Sequence, residues 1–192
     1  DPERTPALLD ALAALDVPAT FFLVGSRVDE QPELALRIAR EGHEIGNHTY
    51  HHRYLPLVRS KTVAAELATT DAAIARATGR VPSLARPPYG GRSPRNVRAF
   101  DRLGKRTVLW DVNSFDWKIG THAAADPVGA IVQRVLDRVQ NGSLVLLHEA
   151  RDGGELTIEA VKRLVPALRA RGFELSTTSR VMTWVIFKSL NG

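Results

Sequence analysis

A chain of 192 residues and 21.1 kDa, 44% hydrophobic and 24% charged, is one globular domain's worth of protein and too apolar for intrinsic disorder. It has no cysteine, which excludes disulfide frameworks, thiolate metal sites and cysteine nucleophiles. The net charge is +5, but the basic residues are scattered along the sequence, so the charge reads as a solvated surface with a weaker pull toward anionic cell-wall polymer, and argues against nucleic acid as partner. No apolar run reaches the ~20 residues that a membrane span needs; the nearest, Val181 to Phe187, is ended by Lys188.

Thr5-Pro6 opens a first helix, with Leu8, Leu12 and Leu15 at helical spacing to about Asp16. Ala19 to Val24 is a short apolar run of the kind buried on both faces of a parallel sheet. Gln31-Pro32 starts a second helix closed by Gly42, and His43 to Gly46 is extended. Ser60 caps a long helix to Thr78, Ser83 to Arg86 is a strand, and Ser93-Pro94 starts a helix ended by Gly104. Lys105 to Val112 reads as one strand, Asp126-Pro127 caps a helix to Val139, and Ser143 to His148 is a strongly apolar strand. A helix from Glu155 to Arg171 and a strand from Phe173 to Ser176 follow. Six strands alternating with helices predict a parallel α/β sheet, open or closed into a barrel, within a single domain spanning residues 1–192. The chain opens on a helix where the alternation asks for a strand, so a strand is expected upstream of Asp1. The tail 179–192, with Met182, Trp184, Ile186 and Phe187, is expected to pack as a last helix on the barrel.

The chemistry collects in four clusters. Four of the six histidines lie between His43 and His52, and one helical turn would place His48 and His52 on a common face, as a metal pair at i, i+4 requires. Arg86-Pro87-Pro88-Tyr89-Gly90 is a stiffened turn at a strand exit, able to hold an arginine and the Tyr89 backbone N–H in place. Asp111 to Trp117 sets two carboxylates, an amide and an indole just past a strand, and Leu144 to Glu149 delivers His148 at a strand end. His48, Arg86, Asp116 and His148 thus come from four βα units, each at the C-terminal end of its strand, where active sites of α/β folds assemble.

These clusters, in this order, resemble the motifs of the polysaccharide deacetylases of the NodB-homology type, carbohydrate esterase family 4. His48 to His52 matches the histidine motif, Arg86 to Gly90 the R-x-P-[YF]-G motif, Asn113 to Trp117 the D-x-x-D-W motif with asparagine in first place, and Leu146 to Glu149 the hydrophobic-H-[DE] motif. The resemblance implies a distorted (β/α) barrel whose first strand is missing from this chain, and a divalent metal, usually zinc, with His48 and His52 as two of its ligands. It implies that Arg86 orients the catalytic base, that the Tyr89 N–H helps hold an oxyanion, and that His148 is the general acid, with Asp116 tuning it. Trp117 and Leu146 would wall the groove for the acetyl methyl and sugar ring.

The family's first motif, T-F-D-D-G, which carries the base and the third metal ligand, is absent. The chain is therefore expected to hydrolyse poorly by itself, unless Asp1, Asp111 or Asp116 supplies the third ligand. The substrate implied is an acetylated polysaccharide of the chitin or peptidoglycan type, outside the cell or in its envelope, with any signal or anchor expected upstream of Asp1. A non-catalytic carbohydrate-binding module and an O-acetyl esterase acting on acetylxylan remain open alternatives.

Overall fold

The computed structural model describes residues 1–118, 123–149 and 153–182. Its backbone divides into two compact units, residues 20–109 and residues 1–19 with 110–192.

In the 20–109 unit, β1 (Thr20–Leu23), β2 (Glu44–Asn47), β3 (Leu84–Ala85) and β4 (Arg106–Thr107) form a parallel sheet in that order. Its helices are α2 (Gly25–Glu30), α3 (Pro32–Arg40), α4 (Ser60–Thr78) and α5 (Pro94–Arg102). Parallel pairing follows from the alternation of strands and helices, since each crossover needs a helix-length connection. The apolar stripe of α4 supplies Val63 and Leu67 to a cluster with Leu55, Ala85 and Phe100, and Ala73 and Ile74 to one with Val28 and Ala35.

In the other unit, β5 (Val112–Asn113) and β6 (Val145–Leu146) pair in parallel beside α1 (Arg4–Ala14), α6 (Pro127–Leu136) and α7 (Gly154–Ala170). Asp126 caps α6 as expected, accepting the Gly129 N–H at 2.9 Å. Arg169 of α7 donates to the carbonyls of Leu15 and Asp16 at 2.7 and 2.9 Å, satisfying orphan acceptors past the end of α1.

The α/β class and the parallel sheet agree with the sequence reading, with four corrections. The segment 105–112 is not one strand: residues 106–107 pair with β3, whereas residues 112–113 pair with β6. Residues 173–176 form no strand; Phe173 and Leu175 pack on Val112, Val135, Leu164 and Leu168 without a ladder partner among the described residues. Helix α2 was not expected, because six residues are too few to show a period. It forms where the Gly25 and Ser26 N–H groups find the carbonyls of Thr49 and Tyr50 at 2.9 and 3.1 Å. Ser60 is the first residue of α4 rather than its cap; Arg59 holds that place with no side-chain bond. Of the expected tail helix, residues 178–182 are helical, and Trp184, Ile186 and Phe187 lie outside the described residues. Among the described residues no helix is long and apolar enough to cross a membrane.

Gly46 shows how the sheet shapes what lies above it. It pairs with Phe22 across β1 and β2, and a Cβ at Gly46 would stand 2.4 Å from the Phe22 ring. The ring occupies the space that a side chain would take, and the Arg86 guanidinium carbon lies 4.6 Å from its centroid. Gly46→Ala is therefore expected to displace Phe22 and cost about 1–3 kcal/mol by overpacking. Thermal unfolding of the variant checks this, and an unchanged melting temperature would contradict it.

Candidate functional site

The histidine loop follows β2 directly. Residues 48–52 make no helical turn, contrary to the expectation; Thr49 and His52 have φ of +65° and +55°, and the chain doubles back through left-handed residues. The two rings meet nonetheless. His48 Nε2 and His52 Nε2 are 3.2 Å apart, with the rings edge to face. A left-handed β-branched residue is costly and persists only where its surroundings over-determine it. Asn47, fully buried, does so: its Oδ1 accepts the Thr49 N–H at 2.9 Å, and its Nδ2 donates to Leu67 O and Asp71 Oδ1, both at 2.8 Å. Asp71 in turn pairs with buried Lys105 at 2.6 Å.

From α4, buried Glu66 accepts the backbone N–H groups of Tyr50 and His51 at 2.9 and 2.7 Å and pairs with the His51 ring at 2.7 Å. Burial alone pushes its carboxyl up, but the His51 ring and the two backbone donors outweigh that and hold it below its ordinary value. His51 is thus a surface partner of Glu66. His43 is a core residue, packed edge-on to Phe21, and burial lowers its pKa while Glu41 partly opposes the shift. Only His48 and His52 of the histidine cluster converge.

Arg86 leaves β3 with its N–H on Asn47 O at 2.9 Å, and its carbonyl lies 2.6 Å from His48 Nδ1. A carbonyl can only accept, so Nδ1 carries the hydrogen and the neutral ring keeps its Nε2 lone pair facing His52. Two imidazole nitrogens on a tetrahedral zinc at 2.0–2.1 Å would stand about 3.3 Å apart, so this pair fits such an ion. Among the described residues, no group of three His, Asp or Glu side chains gathers where a metal could be held.

Beyond the prolines, Tyr89 is also left-handed at φ +59°, 60% exposed, with its ring against His52 at 4.8 Å and Tyr54 at 6.2 Å. The 20–109 unit therefore assembles His48, His52, Arg86 and Tyr89, and adds Tyr54, which sequence reasoning missed.

The other unit assembles the second pair. Asp116, buried, faces His148 Nδ1 with Oδ1 at 2.9 Å and accepts the His148 N–H on Oδ2 at 2.5 Å. Thr157 Oγ1 lies 2.9 Å from the same Oδ2 and 3.1 Å from His148 O. The approach to Asp116 passes through Phe115, left-handed at φ +54°, whose N–H is held by Asn113 Oδ1 at 2.8 Å. With Nδ1–H directed at the carboxylate, the Nε2 atom of His148 is the one left for chemistry. Trp117 is 41% exposed, whereas Leu146 is buried in β6.

The three aspartates that could have completed a metal site hold other groups. Asp1 accepts the N–H groups of Glu3 and Arg4, Asp111 accepts from Ser143 Oγ and Leu144 N, and Asp116 holds His148.

Of the five non-glycine residues with positive φ among the described residues, Thr49, His52, Tyr89 and Phe115 lie in the motif loops. Strain gathered in this way marks loops held for function rather than for stability. The family model of polysaccharide deacetylases matches residues 1–108. A chitooligosaccharide deacetylase from Bradyrhizobium is 36% identical over 91% of this chain and 83% of its own length. The chain belongs to the polysaccharide deacetylase family. Among solved structures, a peptidoglycan deacetylase from Bacillus subtilis superposes with a TM-score of 0.86 at 29% identity, over 100% of this chain and 89% of that one. A carbohydrate esterase family 4 pseudoenzyme from Bacillus anthracis gives 0.85 at 28% identity, over 93% of this chain and 60% of that one. The α/β fold is that of this deacetylase family.

Glu66 and Thr157 were legible in principle. Both fall on the buried stripes of their helices, Glu66 beside Val63, Leu67 and Thr70, and Thr157 beside Ile158 and Val161. A carboxylate on an apolar helix face needs a partner, and that is the signal a reader can use.

Proposed function

We propose that the protein removes N-acetyl groups from N-acetylglucosamine units of a chitin- or peptidoglycan-type polysaccharide, with zinc or a similar divalent ion held by His48 and His52. The observation that carries this reading is the imidazole pair, 3.2 Å apart, with the His48 ring fixed by the Arg86 carbonyl. His48 and His52 would hold such an ion, which would supply Lewis acidity toward the acetamide carbonyl and toward a water.

In this reading the chain's own residues do the rest. The Tyr89 N–H, which has no acceptor among the described residues, donates to the oxyanion of the tetrahedral intermediate. Arg86, braced on Phe22, is the group that would orient a carboxylate base, a part that no residue named here fills. His148 presents Nε2 to the departing amine and acts as general acid when the ring is protonated, while Asp116 on Nδ1 steadies the imidazolium. In the 20–109 unit the exposed Tyr89 ring, its face extended by Tyr54, is offered to sugar, and in the other unit the exposed Trp117 ring is a separate candidate for the same role. Such a substrate places the protein in the cell envelope or outside the cell.

We further read these 192 residues by themselves as a weak hydrolase. What supports this is that Asp1, Asp111 and Asp116 each hold other groups.

Calorimetric titration with zinc is expected to show weak one-to-one binding that His48→Ala removes. Tight binding would show that the chain completes its own metal centre and would overturn the weak-hydrolase reading; binding unchanged in His48→Ala would overturn the metal assignment. Acetate release is expected from chitooligosaccharides in preference to acetylxylan, and the opposite preference would replace the amide by an ester as substrate.

A further inference from the structure

Helix α5 reads Pro-Arg-Asn-Val-Arg-Ala-Phe-Asp-Arg and has two unlike faces. Asn96, Ala99 and Phe100 are buried, and the inner face is fastened by Asn96 Nδ2, which donates to Leu55 O at 2.6 Å. Ser93 Oγ caps the first turn by accepting the Asn96 N–H. On the outside Arg95, Arg98 and Arg102 are all exposed, at i, i+3 and i+7. That spacing lines them up within an arc of about 60° and along about 10 Å of the axis.

Several other helical arginines meet carboxylates, Arg27 with Glu30, Arg37 with Glu41, Arg76 with Asp29 and Arg163 with Asp126, and others such as Arg134 and Arg169 bond backbone carbonyls. Among the described residues Arg95, Arg98 and Arg102 form no ion pair, although Asp101, also exposed, lies on the same helix. Exposed Arg92 continues the stripe toward the turn Pro88–Gly90, where its Nη1 lies 3.4 Å from Gly90 O.

Three like charges held on one rigid face without counter-charges repel one another, and the guanidinium fork matches a carboxylate or phosphate in two-point contact. We propose that the outer face of α5 binds an anionic glycan, a polysaccharide that carries carboxylate or phosphate groups along its chain. The stripe runs through Arg92 into the turn that presents Tyr89, so a polymer lying along α5 continues onto the Tyr89 and Tyr54 rings. The choice of a glycan rests on the function proposed above. Single-stranded nucleic acid, whose bases could stack on the same exposed Tyr89 and Tyr54 rings, is the competing outcome that the DNA arm of the test reads.

The test compares the full chain with the triple variant Arg95→Gln/Arg98→Gln/Arg102→Gln. A control, Arg40→Gln/Lys61→Gln/Arg180→Gln, removes the same charge from exposed positions elsewhere. The probes are fluorescent octagalacturonate, a phosphorylated dextran oligomer, single-stranded DNA of equal charge, and neutral chitopentaose, each read by anisotropy at rising salt. The α5 variant is expected to weaken one or both anionic glycans about tenfold at low salt and to flatten the salt dependence, while the control keeps wild-type affinity. The galacturonate and dextran arms tell carboxylate from phosphate. Equal weakening in the control, no binding of either anionic glycan, or tighter binding of DNA would each overturn the proposal. Chitopentaose separates the two readings, because its binding is expected to be the same in all three proteins whatever becomes of the anionic probes.

Discussion

Glu66→Ala is expected to lower the melting temperature by about 6–12 °C. The substitution leaves the backbone N–H groups of Tyr50 and His51 without their acceptor and removes the partner of the His51 ring. The two stranded backbone donors, with a smaller share from the lost pairing to the half-exposed His51 ring, together cost about 3 kcal/mol, and a chain of this size loses about 2–4 °C per kcal/mol. The effect carries a pH signature. The Glu66 carboxyl titrates below its ordinary 4.5 in the folded chain, because the His51 ring and the backbone donors outweigh the upward push of burial. Its stabilising contribution is therefore complete above about pH 4.5 and is lost as the pH falls through the folded value. Glu66→Gln, which keeps one carbonyl oxygen, is expected to melt between the wild type and alanine variant and to show a shallower loss of stability on acidification. Calorimetric scans between pH 3 and 7 check both statements, and an alanine variant that melts with the wild type would refute the assignment.

Asp116→Asn is expected to reverse the tautomer of His148. The carboxylate now draws the ring proton to Nδ1, whereas an amide that turns its NH2 toward Nδ1 makes that nitrogen the acceptor and sends the proton to Nε2. The shape of the site is nearly unchanged, so the ring nitrogen shifts read by NMR isolate the protonation pattern from folding. Acetate release is expected to fall about 10²–10⁴-fold, as for loss of a positioned acid, because the amide no longer steadies the imidazolium. Ring nitrogen shifts identical to wild type would show that Asp116 does not set the tautomer. A wild-type rate alongside a reversed tautomer would remove His148 from the chemistry.

The fold class was legible because short apolar runs such as 19–24 and 143–148 alternate with stretches of helical period. The motif residues were legible because they follow strand ends. What escaped the sequence was how the residues are held. A helical turn explained the i, i+4 spacing of His48 and His52, yet left-handed Thr49 and His52 bring the rings together more closely, and backbone dihedrals leave no mark on a threonine. Helix α2 escaped because its partners are carbonyls in a loop some 25 residues downstream. The segment 105–112 read as one strand because its composition is uniform, and only the identity of the neighbouring strands divides it. Phe173 and Leu175 alternate as a strand would, but they pack without pairing.

The histidine loop has neither helix nor strand, yet its amides and carbonyls are taken up by its surroundings: His48 by Leu23, Thr49 by Asn47 and Gly25, Tyr50 by Glu66 and Ser26, His51 by Glu66. Opening it would break the first turn of α2 and strip Glu66 and Asn47 of partners in the same event. Loop, α2 and the middle of α4 therefore constitute one foldon, and the loop amides should exchange with solvent at the pace of the helix rather than of a surface turn. A ligand approaching the imidazoles then meets a rigid backbone, and the freedom to admit it lies in the exposed rings of Tyr54 and Tyr89.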